Sequence, residues 1–88
     1  AIRRVGAMPR VVDIDLETFS IDPTAARLAL TSKTKAVIVP HLFGLPAELT
    51  ELERLGVPII EDCAQTLGAM EQGRCVGSAG LLTVCSFY

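Results

Sequence analysis

Four short apolar runs, at 10–14, 35–39, 57–60 and 81–87, alternate with segments of helical spacing or turn chemistry, and this alternation constrains the fold more than any other feature of the chain. The runs are mostly apolar, with few alternating polar positions. Parallel strands covered on both faces have this pattern, because neither side tolerates repeated polar residues. Between the first two runs, Asp22-Pro23 supplies an N-cap carboxylate followed by proline at the first helical position, and Ile21, Ala25 and Leu28 recur at helical spacing. Between the second and third, Pro46 opens a segment that sets Leu49, Leu52 and Leu55 on one face and Glu48, Glu51 and Glu53 mostly away from it. Gly56 and Pro58 then stop it, glycine by accepting a left-handed conformation and proline by refusing to continue a helix. A Gly-rich loop leads into the last run. The order predicts right-handed crossovers and an α/β fold, a mostly parallel sheet with flanking helices.

With 88 residues the chain is one domain or part of one. Half of it is apolar, a fifth is charged and the net charge is -2, a balance that points neither to disorder nor to a nucleic-acid footprint. Cys63, Cys75 and Cys85 match no close-spaced zinc pattern and are odd in number, so a reduced, cytoplasmic setting is expected and no metal site. The apolar stretches at 36–39 and 81–84 are far shorter than the ~20 residues of a membrane helix, and no membrane partner is expected. The chain opens on Ala1 and ends on Tyr88 within an apolar run, as expected of a fragment truncated at both ends.

In an open α/β sheet, ligands bind beyond the carboxyl ends of the strands. The residues leaving the first run are Asp13-Ile14-Asp15, a pair of acids at phosphatase spacing. That motif calls for threonine or valine two positions after the second aspartate; Glu17 stands there and Thr18 comes one later, which favours a turn-capping role for the acids. A phosphoacceptor reading of the strand-end acids needs a later lysine, and none follows Lys35. His41, the one histidine, follows the second run; a lone histidine is more often a hydrogen-bonded structural residue than a base or ligand. The third run leaves through Glu61-Asp62-Cys63-Ala64-Gln65. On a continuing strand Glu61 and Asp62 point in opposite directions, so they cannot act as a paired acid and base, and one of them faces the cleft or a covering element.

Taken in order, Gly6-Ala7-Met8-Pro9, Val11-Val12-Asp13-Ile14-Asp15, Ile21-Asp22-Pro23, the stretch from Thr34 through Pro40-His41-Leu42-Phe43-Gly44, Ile60-Glu61-Asp62-Cys63-Ala64-Gln65, Gly68-Ala69, Val76-Gly77-Ser78-Ala79-Gly80 and Ser86-Phe87-Tyr88 resemble the DegT/DnrJ sugar aminotransferases over nearly the whole chain. The resemblance implies the large, cofactor-binding domain of the aspartate-aminotransferase-like fold (fold type I), of which residues 1–88 would be a part, and pyridoxal 5'-phosphate as cofactor. It makes Asp62 the partner of the ring nitrogen, Ala64 the residue against the ring face, Gln65 the donor to the phenolic oxygen and Ser86 a donor to the phosphate, with Glu61 turned away. A carboxylate at the first of these places keeps the ring cationic and able to withdraw electrons.

The resemblance also places the family's lysine, which holds the cofactor covalently, five residues after Ser86 and so beyond Tyr88. The chain therefore has no catalytic residue of its own, and on its own it is expected to be inactive and poorly stable, since the Val11-Val12 strand would lack a neighbour supplied from upstream. The parent is expected to be a homodimer that transfers an amino group from an amino acid such as glutamate to a nucleotide-linked keto-sugar. Two alternatives stay open: a pyridoxal-phosphate sugar dehydratase, which carries histidine in place of the lysine, and a non-enzymatic α/β module that binds a metal or accepts phosphate.

Overall fold

The computed structural model describes residues 1–87; Tyr88, the last residue of the Ser86-Phe87-Tyr88 motif, lies outside the described residues. Three parallel strands form the sheet: β1 (Val37–Pro40), β2 (Ile59–Asp62) and, further along the chain, β5 (Leu82–Val84). The spatial order is β1-β2-β5, with Val39 opposite Glu61, Pro40 opposite Asp62, and Asp62 opposite Val84. Helix α2 (Leu49–Glu53) makes the crossover from β1 to β2. Its leucine stripe behaves as the spacing predicts: Leu49, Leu52 and Leu55 are buried with Val39, Ile59, Ala47, Cys63 and Val76 in one core. Gly56, with φ of 71°, ends the segment in the left-handed conformation.

Helix α1 (Pro23–Ala29) starts where the sequence predicts, with the Asp22 side chain accepting from the Thr24 N–H at 2.8 Å and proline in the first turn. Its buried face differs from the expected one. Ala26 points into the core, whereas Leu28 is 80% exposed. The helix has only two turns and meets the core along a narrow line, so one small residue suffices for contact.

The first predicted strand, 10–14, does not form. A 3-10 turn at Ile2–Val5 ends at Gly6, the chain then runs extended, and the nearest sheet-like feature is a single antiparallel bridge between Ile14 and Ile21. The physical reason is the missing ladder. An apolar run becomes a strand only when another strand takes up its N–H and C=O groups; among the described residues no strand pairs with residues 10–13, where the Asp22 N–H reaches the Asp13 carbonyl at 3.2 Å, and Val11 is left 92% exposed. For the same reason only one face of the sheet is covered. Burial alternates along β2, with Ile59 and Glu61 buried and Ile60 and Asp62 partly exposed. The other face, at Ile38, Pro40 and Ile60, opens on an apolar groove of about 980 Å³ walled by the N-terminal segment and the end of α1.

The connection from β2 to β5 holds a small hairpin that the apolar pattern does not reveal, β3 (Met70–Glu71) and β4 (Arg74–Cys75). Its turn, Gln72-Gly73, has positive φ at both residues, the geometry that suits two-residue hairpins. A two-pronged ion pair from Arg74 to Glu53, at 3.0 and 2.8 Å, ties the hairpin to α2. No described helix is long and apolar enough to cross a membrane.

Candidate functional site

The carboxyl ends of β1, β2 and β5 lie side by side, and the residues that leave them gather there. Asp62 ends β2 on the face opposite Glu61. Its Oδ1 accepts from the Ala64 N–H at 3.1 Å, which sets the rotation of the carboxylate. Its other oxygen receives no hydrogen bond among the described residues, so it remains available to a donor from outside the protein. Ala64 and Gln65 follow in an exposed turn. The Leu42-Phe43-Gly44-Leu45 turn after β1 brings the Phe43 N–H to Gln65 Oε1 at 3.5 Å, the outer limit of a hydrogen bond, leaving the carboxamide NH2 as the outward donor. Ser86 is exposed two residues beyond the end of β5, the strand paired with β2. The four predicted site residues thus share one end of two adjacent parallel strands.

The peptide of Asp62 is held from both sides. Its carbonyl accepts from the His41 N–H at 3.0 Å, and the next residue, Cys63, donates its N–H to Val84 at 2.8 Å. Two flanking strands therefore fix the position of the carboxylate, as a site on rigid elements requires.

Behind Asp62 lies a polar cluster that reading the sequence misses. Glu61 is fully buried, and its carboxylate accepts from the backbone N–H groups of Gly77 (2.6 Å), Ala79 (2.8 Å) and Gly80 (2.5 Å) and from His41 Nε2 (3.1 Å). Burial pushes the Glu61 carboxyl up, but the N–H groups of Gly77, Gly80 and Ala79 and the His41 ring more than offset this and hold it below its ordinary value. The Gly-rich loop was the available signal: consecutive backbone N–H groups in such a loop form an anion-binding concavity, and here an internal carboxylate fills it. His41 proves to be the hydrogen-bonded structural residue. Its Nδ1 accepts from the Ala47 N–H at 3.0 Å, its carbonyl accepts from the Thr66 hydroxyl at 2.7 Å, and the ring proton therefore sits on Nε2, facing Glu61.

His41, Glu61 and Cys63 present ligand-type atoms within 4.8 Å of one another. Hydrogen bonds hold this cluster together. Nε2 must carry the proton because Nδ1 is taken, and both Glu61 oxygens already accept backbone N–H groups. Cys63 is no nucleophile either: burial, then the nearby Glu61, Cys85 and Asp62, push its thiol up to about 11. Alkylation of Cys63 by iodoacetamide at pH 8 is accordingly expected to be about 100-fold slower in the folded than in the denatured protein, because the thiolate is the reacting form. Peptide mass spectrometry over time checks this, and equal rates in the two states would contradict the burial.

The acids after the first run cap a turn. Asp15 Oδ1 accepts from the N–H groups of Thr18 (2.8 Å) and Glu17 (2.9 Å), which hold its carboxyl below the ordinary value, and Asp13 accepts from its neighbour Ile14. With its oxygen engaged in this way, Asp15 has the geometry of an Asx-type turn.

Residues 1–88 match the model of the DegT/DnrJ/EryC1/StrS aminotransferase family. The chain is 50% identical over 80 residues to the L-glutamine:2-deoxy-scyllo-inosose aminotransferase of Streptoalloteichus tenebrarius, covering 86% of this chain and 19% of that protein. It is 40% identical over 92 residues to a UDP-N-acetyl-3-dehydro-alpha-D-glucosamine 3-aminotransferase of Acidithiobacillus ferrooxidans, covering all of this chain and 25% of that one. Among solved structures, an aminotransferase from Psychrobacter cryohalolentis superposes with a TM-score of 0.93 at 38% identity, over 98% of this chain and 23% of that one. The GDP-4-keto-6-deoxymannose-3-dehydratase ColD superposes with a TM-score of 0.91 at 28% identity, over 99% and 24%. The chain spans about a quarter or less of the length of these relatives. With a mostly parallel sheet whose strand ends carry the motif residues in family order, the chain belongs to the DegT/DnrJ/EryC1/StrS aminotransferase family.

Proposed function

We propose that residues 1–88 are part of the cofactor-binding large domain of a pyridoxal-phosphate enzyme that transfers an amino group from an amino acid, glutamate or glutamine, to a nucleotide-linked keto-sugar. The observation that carries this reading is the Asp62 carboxylate, fixed at a strand end through one oxygen and open to a donor at the other. Pyridoxal phosphate, when bound, supplies an electron sink for the carbanion that forms at the substrate carbon.

The chain's own residues fit that group. Asp62 accepts the ring N–H and so keeps a proton on that nitrogen. Gln65, with its carbonyl turned to Phe43, donates through its NH2 to the phenolic oxygen. Ala64 has a methyl group small enough for the ring face to approach closely, and Ser86 donates its hydroxyl to the phosphate. The lysine that binds the cofactor covalently and shuttles the proton lies, on this reading, beyond Tyr88, so activity belongs to the longer protein, a cytoplasmic homodimer.

The nucleotide-sugar substrate is supported by the name of the Acidithiobacillus relative. A second reading, the sugar dehydratase, is favoured by the ColD superposition. One experiment tests both. The full-length enzyme, purified with pyridoxal phosphate, is given a nucleotide-linked keto-sugar and glutamate or glutamine, and the sugar is weighed by mass spectrometry. Gain of an amine in place of the keto oxygen is expected; loss of water without net amine transfer supports the dehydratase; absence of any bound-cofactor absorbance overturns both.

A further inference from the structure

Glu61 plays no part in the chemistry assigned above, yet it is a fully buried carboxylate with four donors. Its partners are the elements that locate the site. On one side, His41 donates its ring N–H to Glu61 and its backbone N–H to the carbonyl of Asp62. On the other, loop residues 77–80 donate to Glu61 and lead directly into β5, which pairs with Asp62 through Val84 and carries Ser86 beyond.

The fit of this loop is close. A Cβ at Gly80 would lie 2.9 Å from the Leu82 carbonyl, 3.0 Å from the Ile59 carbonyl and 3.1 Å from Glu61 Cγ, so only glycine lets the loop come down onto the carboxylate. A further tether runs from the Thr83 hydroxyl to the Gly77 carbonyl at 2.7 Å. Because β2 is the central strand and Glu61 and Asp62 are adjacent on opposite faces, any shift of the loop against Glu61 moves Asp62 and β5 relative to one another.

We propose that Glu61 is a positioning residue, whose buried clamp on loop 77–80 and His41 sets the spacing between Asp62 and Ser86 and thereby the seating of the cofactor between its ring nitrogen and its phosphate. The inference rests on the pyridoxal-phosphate reading of the site. It assigns the Gly-rich loop a role inside the protein, since the N–H groups of Gly77, Ala79 and Gly80 serve Glu61 and are not available to an external phosphate.

The test uses the full-length enzyme with pyridoxal phosphate itself as probe. Glu61→Gln keeps the side-chain shape but turns an NH2 towards backbone N–H groups that need an acceptor. In the folded variant, verified by circular dichroism and thermal unfolding of the apoenzyme, cofactor affinity is expected to fall roughly 10- to 100-fold, the scale of losses when a residue supporting a ligand's direct contacts is changed. The pH dependence of the bound-cofactor absorption band is expected to move with it, because the Asp62 contact is misaligned. In an Asp62→Asn background, Glu61→Gln should add little further change to the band. Thr83→Val, which removes only the outer tether, should give a smaller change in the same direction.

A folded Glu61→Gln enzyme with wild-type affinity and an unmoved band would overturn the proposal, as would full additivity with Asp62→Asn. If Glu61→Gln does not yield folded protein, Thr83→Val decides, and wild-type affinity and band in that variant overturn it. A wild-type enzyme that binds no pyridoxal phosphate removes the functional reading and this inference together, a result distinct from either of the others.

Discussion

Asp62→Asn in the full-length enzyme is expected to lower amine transfer by about 10²- to 10³-fold, the scale seen when one preorganised group facing developing charge is removed. Asparagine has nearly the shape of aspartate, and its Oδ1 can still accept from the Ala64 N–H, so the strand end keeps its geometry. On the pyridoxal-phosphate reading proposed above, what is lost is the negative charge that would hold a proton on the ring nitrogen. Without it the ring is a weaker electron sink, and the loss falls on the chemical step more than on substrate binding. Single-turnover rates at saturating keto-sugar measure that step directly, alongside the absorbance of the bound cofactor. Turnover within a few-fold of wild type would mean that Asp62 does not face the ring.

Truncation of Glu61 is expected to have the largest effect on stability. Glu61→Ala leaves three N–H groups of a partly buried loop and the buried His41 ring N–H without an acceptor. Each buried donor left without an acceptor costs about 1–3 kcal/mol, less where a loop N–H reaches water, so a total of several kcal/mol is expected. Urea or thermal unfolding of the variant beside wild type reads the loss, and a difference below about 1 kcal/mol, the net value of an ordinary hydrogen bond, would show that the clamp is dispensable.

The same carboxylate gives the stability a pH dependence of known sign. Its folded value is held below the ordinary 4.5, chiefly because the loop N–H groups and His41 outweigh burial, so the charged form is the one the fold favours. Its contribution is complete above about pH 4.5 and is lost as the pH falls through the lower folded value. The stability gap between wild type and Glu61→Ala should therefore be constant from pH 7 to about 5 and shrink as the solution becomes more acid. A gap that stays the same down to pH 3 would exclude an ionised Glu61 as its source.

The candidate site was proposed from residue order and family resemblance. Strand-end position marked the segments where ligands bind, and the resemblance to a known family named Asp62, Ala64, Gln65 and Ser86 within them, a placement the geometry leaves for experiment to test. The capped start of α1 at Asp22-Pro23 and the leucine stripe of α2 are local signals too, decided by side-chain chemistry within a few residues. The resemblance foresaw that the run at 10–14 would lack a neighbour, but not that it would then form no strand and leave a groove beside β1, since an apolar run reads the same whether or not a partner is there to pair with it.

Glu61 shows the boundary most clearly. The sequence by itself determined that Glu61 and Asp62 lie on opposite faces of one strand, because strand geometry alternates side chains whatever surrounds them. Which of the two meets a ligand it left open, and only the family resemblance points to Asp62. Only the tertiary structure decided what Glu61 meets on the other face. Its partners come from His41, twenty residues earlier, and from Gly77, Ala79 and Gly80, sixteen to nineteen residues later, and no local pattern records contacts that arise only when three strands are brought side by side.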